Sequence, residues 1–230
     1  MLSKRMKAIA DMVPVCECVA DIGCDHGFID IKLMQDGKAG HAVAMDINEG
    51  PLLRAKEHIR QYGLEDRIEV RLSDGAKELK DNEADTAIIA GMGGRLITRI
   101  IRDDVDKFRA MKSIILSPHT ETENVRSFLC EKGFHTEDED MVFEDDKYYT
   151  IIRCRFAGGD IQKPDEAGIL FGPVLIGKKH PVLKGFLENE LIKLDEIEMR
   201  MREGGSEALE RKLPEIDRKR KMIRNILDEY

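Results

Sequence analysis

The sequence lacks long apolar runs and paired Cys-x-x-Cys spacing. No apolar stretch approaches the roughly 20 residues that cross a bilayer, and no early segment has the charged start and apolar core of a signal peptide. The five cysteines are odd in number and scattered, at positions 16, 18, 24, 130 and 154. We therefore expect a cytoplasmic protein with no membrane partner, disulfide framework or bound metal.

A net positive charge is also lacking, since the formal net charge is -8. Such a charge opposes binding to a polyanion through the overall field. Acidic and basic residues balance from Lys163 onward, so the excess of acids lies in residues 1 to 162. We interpret two acidic stretches, 103–106 and 137–146, as solvated loops. Basic clusters lie elsewhere, and each is either a plain solvated surface or a phosphate contact: Lys4 and Arg5, Lys178 and Lys179, and Arg218, Lys219, Arg220 and Lys221.

Residues 19–27 read as a buried strand that enters a glycine turn. The acidic residue Asp21 precedes the glycines Gly23 and Gly27, whereas a dinucleotide fingerprint opens on glycines and places its acid after the next strand. An acid before the turn suits a cofactor without a pyrophosphate. S-adenosylmethionine fits, because its ammonium and ribose hydroxyls are donors that carboxylates accept.

Further predicted strands also end in side chains that suit this cofactor. The short apolar run 42–45 ends in Asp46, which we expect to accept from ribose hydroxyls, and the run 68–72 leads to Asp74, which we expect to accept from the adenine amine. The run 84–89 leads into a glycine-rich segment, and 113–116 leads to Ser117, Pro118 and His119. We expect neighbouring residues to contribute to the same cofactor site: Cys24, Asp25, Ile47, Gly75, Gly91 and Met92.

Helical stretches separate these strands; one runs from Pro51 to Tyr62 and is followed by Gly63. Strand and helix in alternation predict an α/β fold with a parallel sheet, whose ligands bind at the carboxyl ends of the strands. We predict a Rossmann-like methyltransferase domain over residues 1–160.

Residues 161–230 differ in pattern. A linker is predicted from Lys163 to Pro173, followed by two helices with apolar residues at spacings of three and four. These two stripes predict an antiparallel coiled-coil hairpin: Leu183, Leu187, Leu194, Ile197 and Met201, then Leu209, Leu213, Ile216, Ile223 and Leu227. We expect Ser206 to cap the second helix and Pro214 to kink or restart it.

Six segments in order along the chain resemble the bacterial tRNA adenine-22 N1-methyltransferases. These are Asp-Ile-Gly-Cys-Asp-His-Gly, Met-Asp-Ile-Asn, Ser-Asp-Gly-Ala, Ala-Gly-Met-Gly-Gly, Glu-Asp-Asp-Lys-Tyr-Tyr and Phe-Gly-Pro. The resemblance covers nearly the whole chain, and the pair Asp25 and His26 is typical of the family. Cys24 stands where Thr is more usual, and Ser117-Pro118-His119 stands where the family commonly has Gln-Pro.

The resemblance implies a class I methyltransferase that uses S-adenosylmethionine, with tRNA as its partner and the helical hairpin as a tRNA-binding domain. It makes the basic clusters given above candidate tRNA contacts. A hairpin that forms a structural lid or a dimer contact is the alternative, and the chain is either a monomer or a weak homodimer.

Adenine N1 already carries an in-plane lone pair, so its methylation needs alignment and tolerance of the cation formed on the base rather than a base catalyst. A nucleophilic cysteine and an Asn-Pro-Pro-Tyr element are therefore not expected, and the second is absent from the sequence. Asp25 and His26 are the candidate catalytic residues, and either orients the methionyl group or faces the base. Of Tyr148 and Tyr149, we expect one to face the core and the other to be free to stack on a base.

Two other functions stay open on the sequence. The same cofactor could serve a small-molecule or protein substrate, with the hairpin as a lid. A non-catalytic dinucleotide-binding module that dimerises through the hairpin is the third possibility, although the acid before the glycine turn argues against it.

Overall fold

The computed structural model describes residues 2–159, 161–203 and 207–230. The chain forms two compact units, Met1–Lys163 and Pro164–Tyr230. The first contains a seven-stranded sheet in the order β3-β2-β1-β4-β5-β7-β6. Its strands are β1 (Cys16–Ile22), β2 (Ala39–Asp46), β3 (Ile68–Leu72), β4 (Thr86–Gly93), β5 (Ser113–Thr120), β6 (Phe134–Glu144) and β7 (Lys147–Phe156).

Pairing within the sheet is parallel from β3 through β5, and β7 and β6 join as an antiparallel edge. The predicted α/β fold with a parallel central sheet is confirmed. Since parallel strands end at one edge of a sheet, the residues after β1, β2 and β4 meet there.

Six helices cover the two faces of the sheet: α1 (Lys4–Met12), α2 (Phe28–Gln35), α3 (Glu49–Gln61), α4 (Gly94–Asp103), α5 (Val105–Ala110) and α6 (Thr122–Glu131). Successive residues of a strand point to opposite faces. Accordingly Ile88 packs in the core with α1, α2 and α3, and Ile89 packs in the core with α4, α5 and α6. This two-sided burial explains why the central strands are continuous apolar runs.

The interpretation of 137–146 and 103–106 as solvated loops is wrong. Residues 137–144 belong to β6, whose partner β7 lies across a turn at Asp145 and Asp146, and residues 103–106 join α4 to α5. Charged residues on β6 suit an edge strand, where they discourage pairing with another chain. Glu139 points inward, is fully buried, and pairs with Arg126 at 2.8 Å.

The second unit is helical, with α7 (Glu166–Phe171), α8 (Pro173–Gly177), α9 (Pro181–Glu203) and α10 (Glu207–Leu227). The predicted linker from Lys163 to Pro173 is thus wrong in part, because α7 occupies most of it. Asp165 caps α7 by accepting from the Gly168 N–H at 2.8 Å.

Helices α9 and α10 pack antiparallel. The carbonyl of His180, just before α9, accepts from the Tyr230 hydroxyl, just after α10, at 3.0 Å. Glu190, farther along α9, pairs with Lys219, earlier in α10, at 2.9 Å. Much of the predicted apolar stripe is buried: Leu183, Leu187, Leu194, Ile216 and Ile223.

The stripe differs from the prediction at both ends of the pair. Ile197 is 42% exposed. Near the end of α10 the buried residue is Ile226, whereas Leu227, which was predicted to be buried, is half-buried. Helix α10 runs through Pro214, so it does not restart there. Ser206 lies outside the described residues, as does the side chain of Leu209. No helix in the described part of the chain is long and apolar enough to cross a membrane.

Candidate functional site

A cavity of about 860 Å³ opens at the carboxyl ends of β1, β2 and β4. Eight residues predicted for cofactor binding or catalysis line it: Asp21, Gly23, Cys24, Asp25, His26, Asp46, Gly91 and Met92. Arg5 from α1 and His119 from β5 line the same cavity. The topology therefore collects side chains that are up to about a hundred residues apart in the sequence.

The first glycine turn presents backbone to this cavity. The N–H groups of Gly23 and Cys24 donate to the carbonyl of Met45 at 2.7 and 2.9 Å, which ties the turn to β2. Gly23 has φ +81°, and a Cβ at this position would clash with the end of the Met92 side chain. Such a cradle admits a ligand close to the backbone, as the predicted cofactor requires.

Asp21 lies at the floor of the cavity and is only 2% exposed. Beside it lies the carboxyl group of Asp30, in the first turn of α2, whose two oxygens are buried with no hydrogen-bond partner among the described residues. Burial raises the pKa of Asp21 to about 7. Sequence reasoning missed Asp30. The signal was present, because Asp30 is an acidic residue within the apolar segment from Phe28 to Met34.

Asp46 ends β2 and is half-buried beside the cavity. Its Oδ1 accepts from the backbone N–H of Asn48 at 2.9 Å, which fixes the orientation of the carboxylate. A fixed, accessible carboxylate at this strand end suits the two hydroxyls of a ribose.

Asp25 has a positive φ of +51°, which holds its side chain at the cavity rim, where it is 67% exposed. His26 lies 3.5 Å from the Asp25 carboxylate, and its Nδ1 accepts from Arg54 Nε at 3.3 Å. The His58 ring stacks on Phe28 at 4.4 Å and donates to the His26 carbonyl. The pair Asp25 and His26 is therefore held by α3 and remains open to a ligand.

Cys24 is buried, and desolvation together with nearby carboxylates raises the pKa of its thiol far above the ordinary value. A nucleophilic cysteine needs an accessible thiolate. Cys24 therefore stays a protonated thiol and is a packing residue of the turn.

Four predicted cofactor residues lie outside the cavity wall: Gly27, Ile47, Asp74 and Gly75. Gly27 begins α2 with φ +69° and approaches Ala55, so its role here is close packing. The Asp74 carboxylate pairs with Lys77 and with Arg99, the latter at 3.2 Å, and these partners lower its pKa.

The cavity rim carries a cluster of Arg5, His119 and Tyr149. The His119 ring lies 5.7 Å from the Tyr149 ring, and Arg5 contacts His119 Nε2. Burial and the nearby charges of Arg5 and Lys147 lower the pKa of His119, so its neutral ring accepts a hydrogen bond from the Arg5 guanidinium. The sequence predicted one tyrosine for stacking, but not its partners.

Several predicted tRNA-contacting side chains are engaged within their own unit. The Lys179 ammonium donates to the carbonyl of Glu229, whereas the contact of Lys4 with Glu144, at 2.6 Å, is made by its backbone N–H. Arg220 pairs with three carboxylates at 2.8 Å: those of Asp195, Glu198 and Asp217.

Three further basic residues of α10 are exposed. These are Arg218, Lys221 and Arg224, which follows the predicted cluster, and Arg218 also pairs with Glu166. Lys178 follows α8 and is also exposed. Among the described residues there is no group of three or more His, Cys, Asp or Glu side chains placed to hold a metal ion.

Comparison with known proteins gives a consistent result. The family described as "Methyltransferase domain" matches residues 2–152. The tRNA (adenine(22)-N(1))-methyltransferase of Bacillus subtilis (strain 168) is 32% identical over 231 residues, which cover 99% of this chain and 97% of that protein.

Solved structures of similar proteins lead to the same family. The Sp1610 protein of Streptococcus pneumoniae, in complex with S-adenosyl-L-methionine, aligns with a TM-score of 0.86 and 28% identity over 99% of this chain and 100% of that one. M. capricolum TrmK, in complex with the natural cofactor product S-adenosyl-homocysteine, aligns with a TM-score of 0.84 and 29% identity over 99% of this chain and 98% of that one. This chain belongs to the tRNA (adenine(22)-N(1))-methyltransferase family.

Proposed function

We propose that this protein transfers the methyl group of S-adenosylmethionine to N1 of adenine 22 in tRNA. The observation that carries the proposal is the cavity at the carboxyl ends of β1, β2 and β4, where a glycine turn lies between the carboxylates of Asp21 and Asp46. A family relationship over nearly the whole chain supports the same reaction.

The cavity wall fits the cofactor. Asp21 receives the methionyl ammonium, Asp46 receives the ribose hydroxyls, and the open backbone at Gly91 leaves room for the ligand. When bound, the cofactor supplies an electrophilic methyl group on a sulfonium. Asp74, with Ile47 and Gly75, is assigned to the adenine end, and this assignment rests on the order of the strands.

The residues facing the base have two tasks. They align N1 with the methyl group, and they tolerate the positive charge that forms on the adenine. The Asp25 carboxylate is exposed at the rim, where a negative charge stabilises that cation. His26 supports Asp25 from 3.5 Å.

We further propose that the helical unit, Pro164–Tyr230, binds the tRNA body through outward basic residues. Lys178, Lys221 and Arg224 support this role because they are exposed, and phosphate contacts require accessible cations. Lys219 and Arg220 then stabilise the pairing of α9 with α10 instead. With tRNA as substrate, we place the reaction in the cytoplasm.

The test is transfer of labelled methyl groups to two unmodified tRNA transcripts that differ only at position 22, one with adenine and one with guanine. Methylation of the first and not the second is expected. Equal labelling of both, or none with the protein folded and S-adenosylhomocysteine bound, would overturn the proposal.

A further inference from the structure

The carboxyl groups of Asp21 and Asp30 form a buried acid pair, which we call the acid pair. Asp21 lies in the buried part of β1, and Asp30 lies in the first turn of α2. They are 2% and 0% exposed, and both carboxyl oxygens of Asp30 lie beside Asp21 with no hydrogen-bond partner among the described residues. Two carboxylates have only acceptor oxygens, so a hydrogen bond between them requires a proton on one of them.

The proton belongs on Asp30. In the described part of the chain, no basic side chain pairs with Asp30, and both of its oxygens are fully buried. Burial raises its pKa well above the ordinary value, and the neighbouring Asp21 raises it further. Asp21 differs because it lines the cavity, where a cationic ligand can reach it.

Other groups around Asp21 make its charge unfavourable until a cation arrives. Asp46 and Asp25 add negative charge from β2 and from the turn, and Cys24 between them remains a neutral thiol. Basic side chains from two helices line the same cavity: Arg5 and Lys7 on α1, and Lys32 on α2. Lys32 pairs with Asp36 at 2.6 Å.

We propose that Asp30 is a positioning residue that, in its protonated form, donates its carboxyl O–H to Asp21 and holds the Asp21 carboxylate toward the α-ammonium of the cofactor. The inference rests on the proposed function, in which Asp21 receives that ammonium. Binding then has a defined proton balance. Asp30 keeps its proton, and a protonated Asp21 releases one proton to the solvent as the ammonium takes its place.

The experiment measures S-adenosylhomocysteine binding to the full chain by calorimetry at pH 6, 7 and 8, in two buffers with different ionisation enthalpies. Below the midpoint of a single coupled ionisation, affinity changes up to tenfold per pH unit. We expect Kd to tighten by up to about tenfold from pH 6 to pH 7 and then to level, with up to one proton released per cofactor at pH 6.

Three variants separate a donor from a merely structural residue. Asp30→Asn keeps a donor toward Asp21, and we expect Kd at pH 8 within about twofold of the parent. Asp30→Ala removes the donor, and loss of a hydrogen bond to a charged group predicts Kd about tenfold weaker at pH 7 with the pH midpoint shifted upward. Asp66→Asn, at an exposed carboxylate in the turn before β3, makes the same chemical change away from the cavity and should match the parent.

Each outcome decides the matter. A parent protein that binds with no pH dependence and no proton release would overturn the role of Asp30, as would Asp30→Asn losing as much affinity as Asp30→Ala. The parent's pH profile and proton release test the proposal without any variant, so it stays testable even when Asp30→Ala does not fold. Failure of the folded parent to bind S-adenosylhomocysteine at any pH would overturn both this inference and the proposed function.

Discussion

The guanidinium of Arg5 lies over the ring of Tyr149, with its carbon 5.0 Å from the ring centroid. This cation-π contact joins α1 to β7 at the cavity rim. Glu144 strengthens the same junction by accepting from the backbone N–H groups of Lys4 and Arg5. An aromatic ring fixed beside the cavity is a suitable platform for an unstacked base.

Tyr149→Ala is therefore expected to lower kcat/KM for tRNA by about tenfold, because base stacking on an aromatic ring contributes about 1 to 3 kcal/mol. S-adenosylhomocysteine affinity should be unchanged. Tyr148→Ala is the matched control, since the Tyr148 ring packs against Phe143 at 4.6 Å on the same strand pair. Equal losses in the two variants would argue against a stacking role for Tyr149.

Asp46→Ala should weaken S-adenosylmethionine binding by about 1.5 to 3 kcal/mol, the range for hydrogen bonds to a charged acceptor. Calorimetry on the folded variant measures this loss. Asp66→Ala removes an exposed carboxylate from the turn before β3 and serves as the control. Unchanged binding by Asp46→Ala would mean that the ribose lies elsewhere.

Cys24→Ser should keep a large fraction of the turnover, because the raised pKa of this buried thiol leaves no thiolate to act as a nucleophile. Asp25→Ala should lose far more, by about 3 kcal/mol in the barrier, through lost stabilisation of the cation on the base. Single-turnover rates with saturating cofactor compare the two. An inactive Cys24→Ser protein that still folds and binds cofactor would contradict this mechanism.

Neutralising Lys221 and Arg224 together should flatten the dependence of tRNA affinity on salt, by about one unit of slope per lost phosphate contact. Cofactor affinity should not change. Arg220→Gln is a different case, because its ion pairs stabilise the helical pair; we expect a lower Tm. A slope that stays the same in the double variant would remove these residues from the tRNA surface.

The sequence predicted the central sheet well because its strands are buried on both faces and read as apolar runs. It also predicted the carboxylates at the strand ends, since in a parallel sheet these ends meet at one edge. Asp21 and Asp46 lie in one cavity wall for this reason.

Features that depend on tertiary contacts were not predicted. β6 reads as a polar segment because it is an edge strand, and only the structure reveals the buried pair of Glu139 and Arg126. Asp30 reads as one more acid until the turn at Gly23 and Gly27 brings α2 back over β1. The ion pairs of Arg220 likewise follow from the antiparallel packing of α9 and α10, which sets charges more than twenty residues apart side by side.

The central claim, methylation of adenine N1 at position 22, is tested most directly by the product. tRNA incubated with the protein and S-adenosylmethionine is digested, its nucleosides are identified by mass spectrometry, and the modified position is mapped. The account predicts 1-methyladenosine at position 22 and no 5-methylcytidine. A methylated cytidine, N6-methyladenosine, or 1-methyladenosine at another position would contradict it.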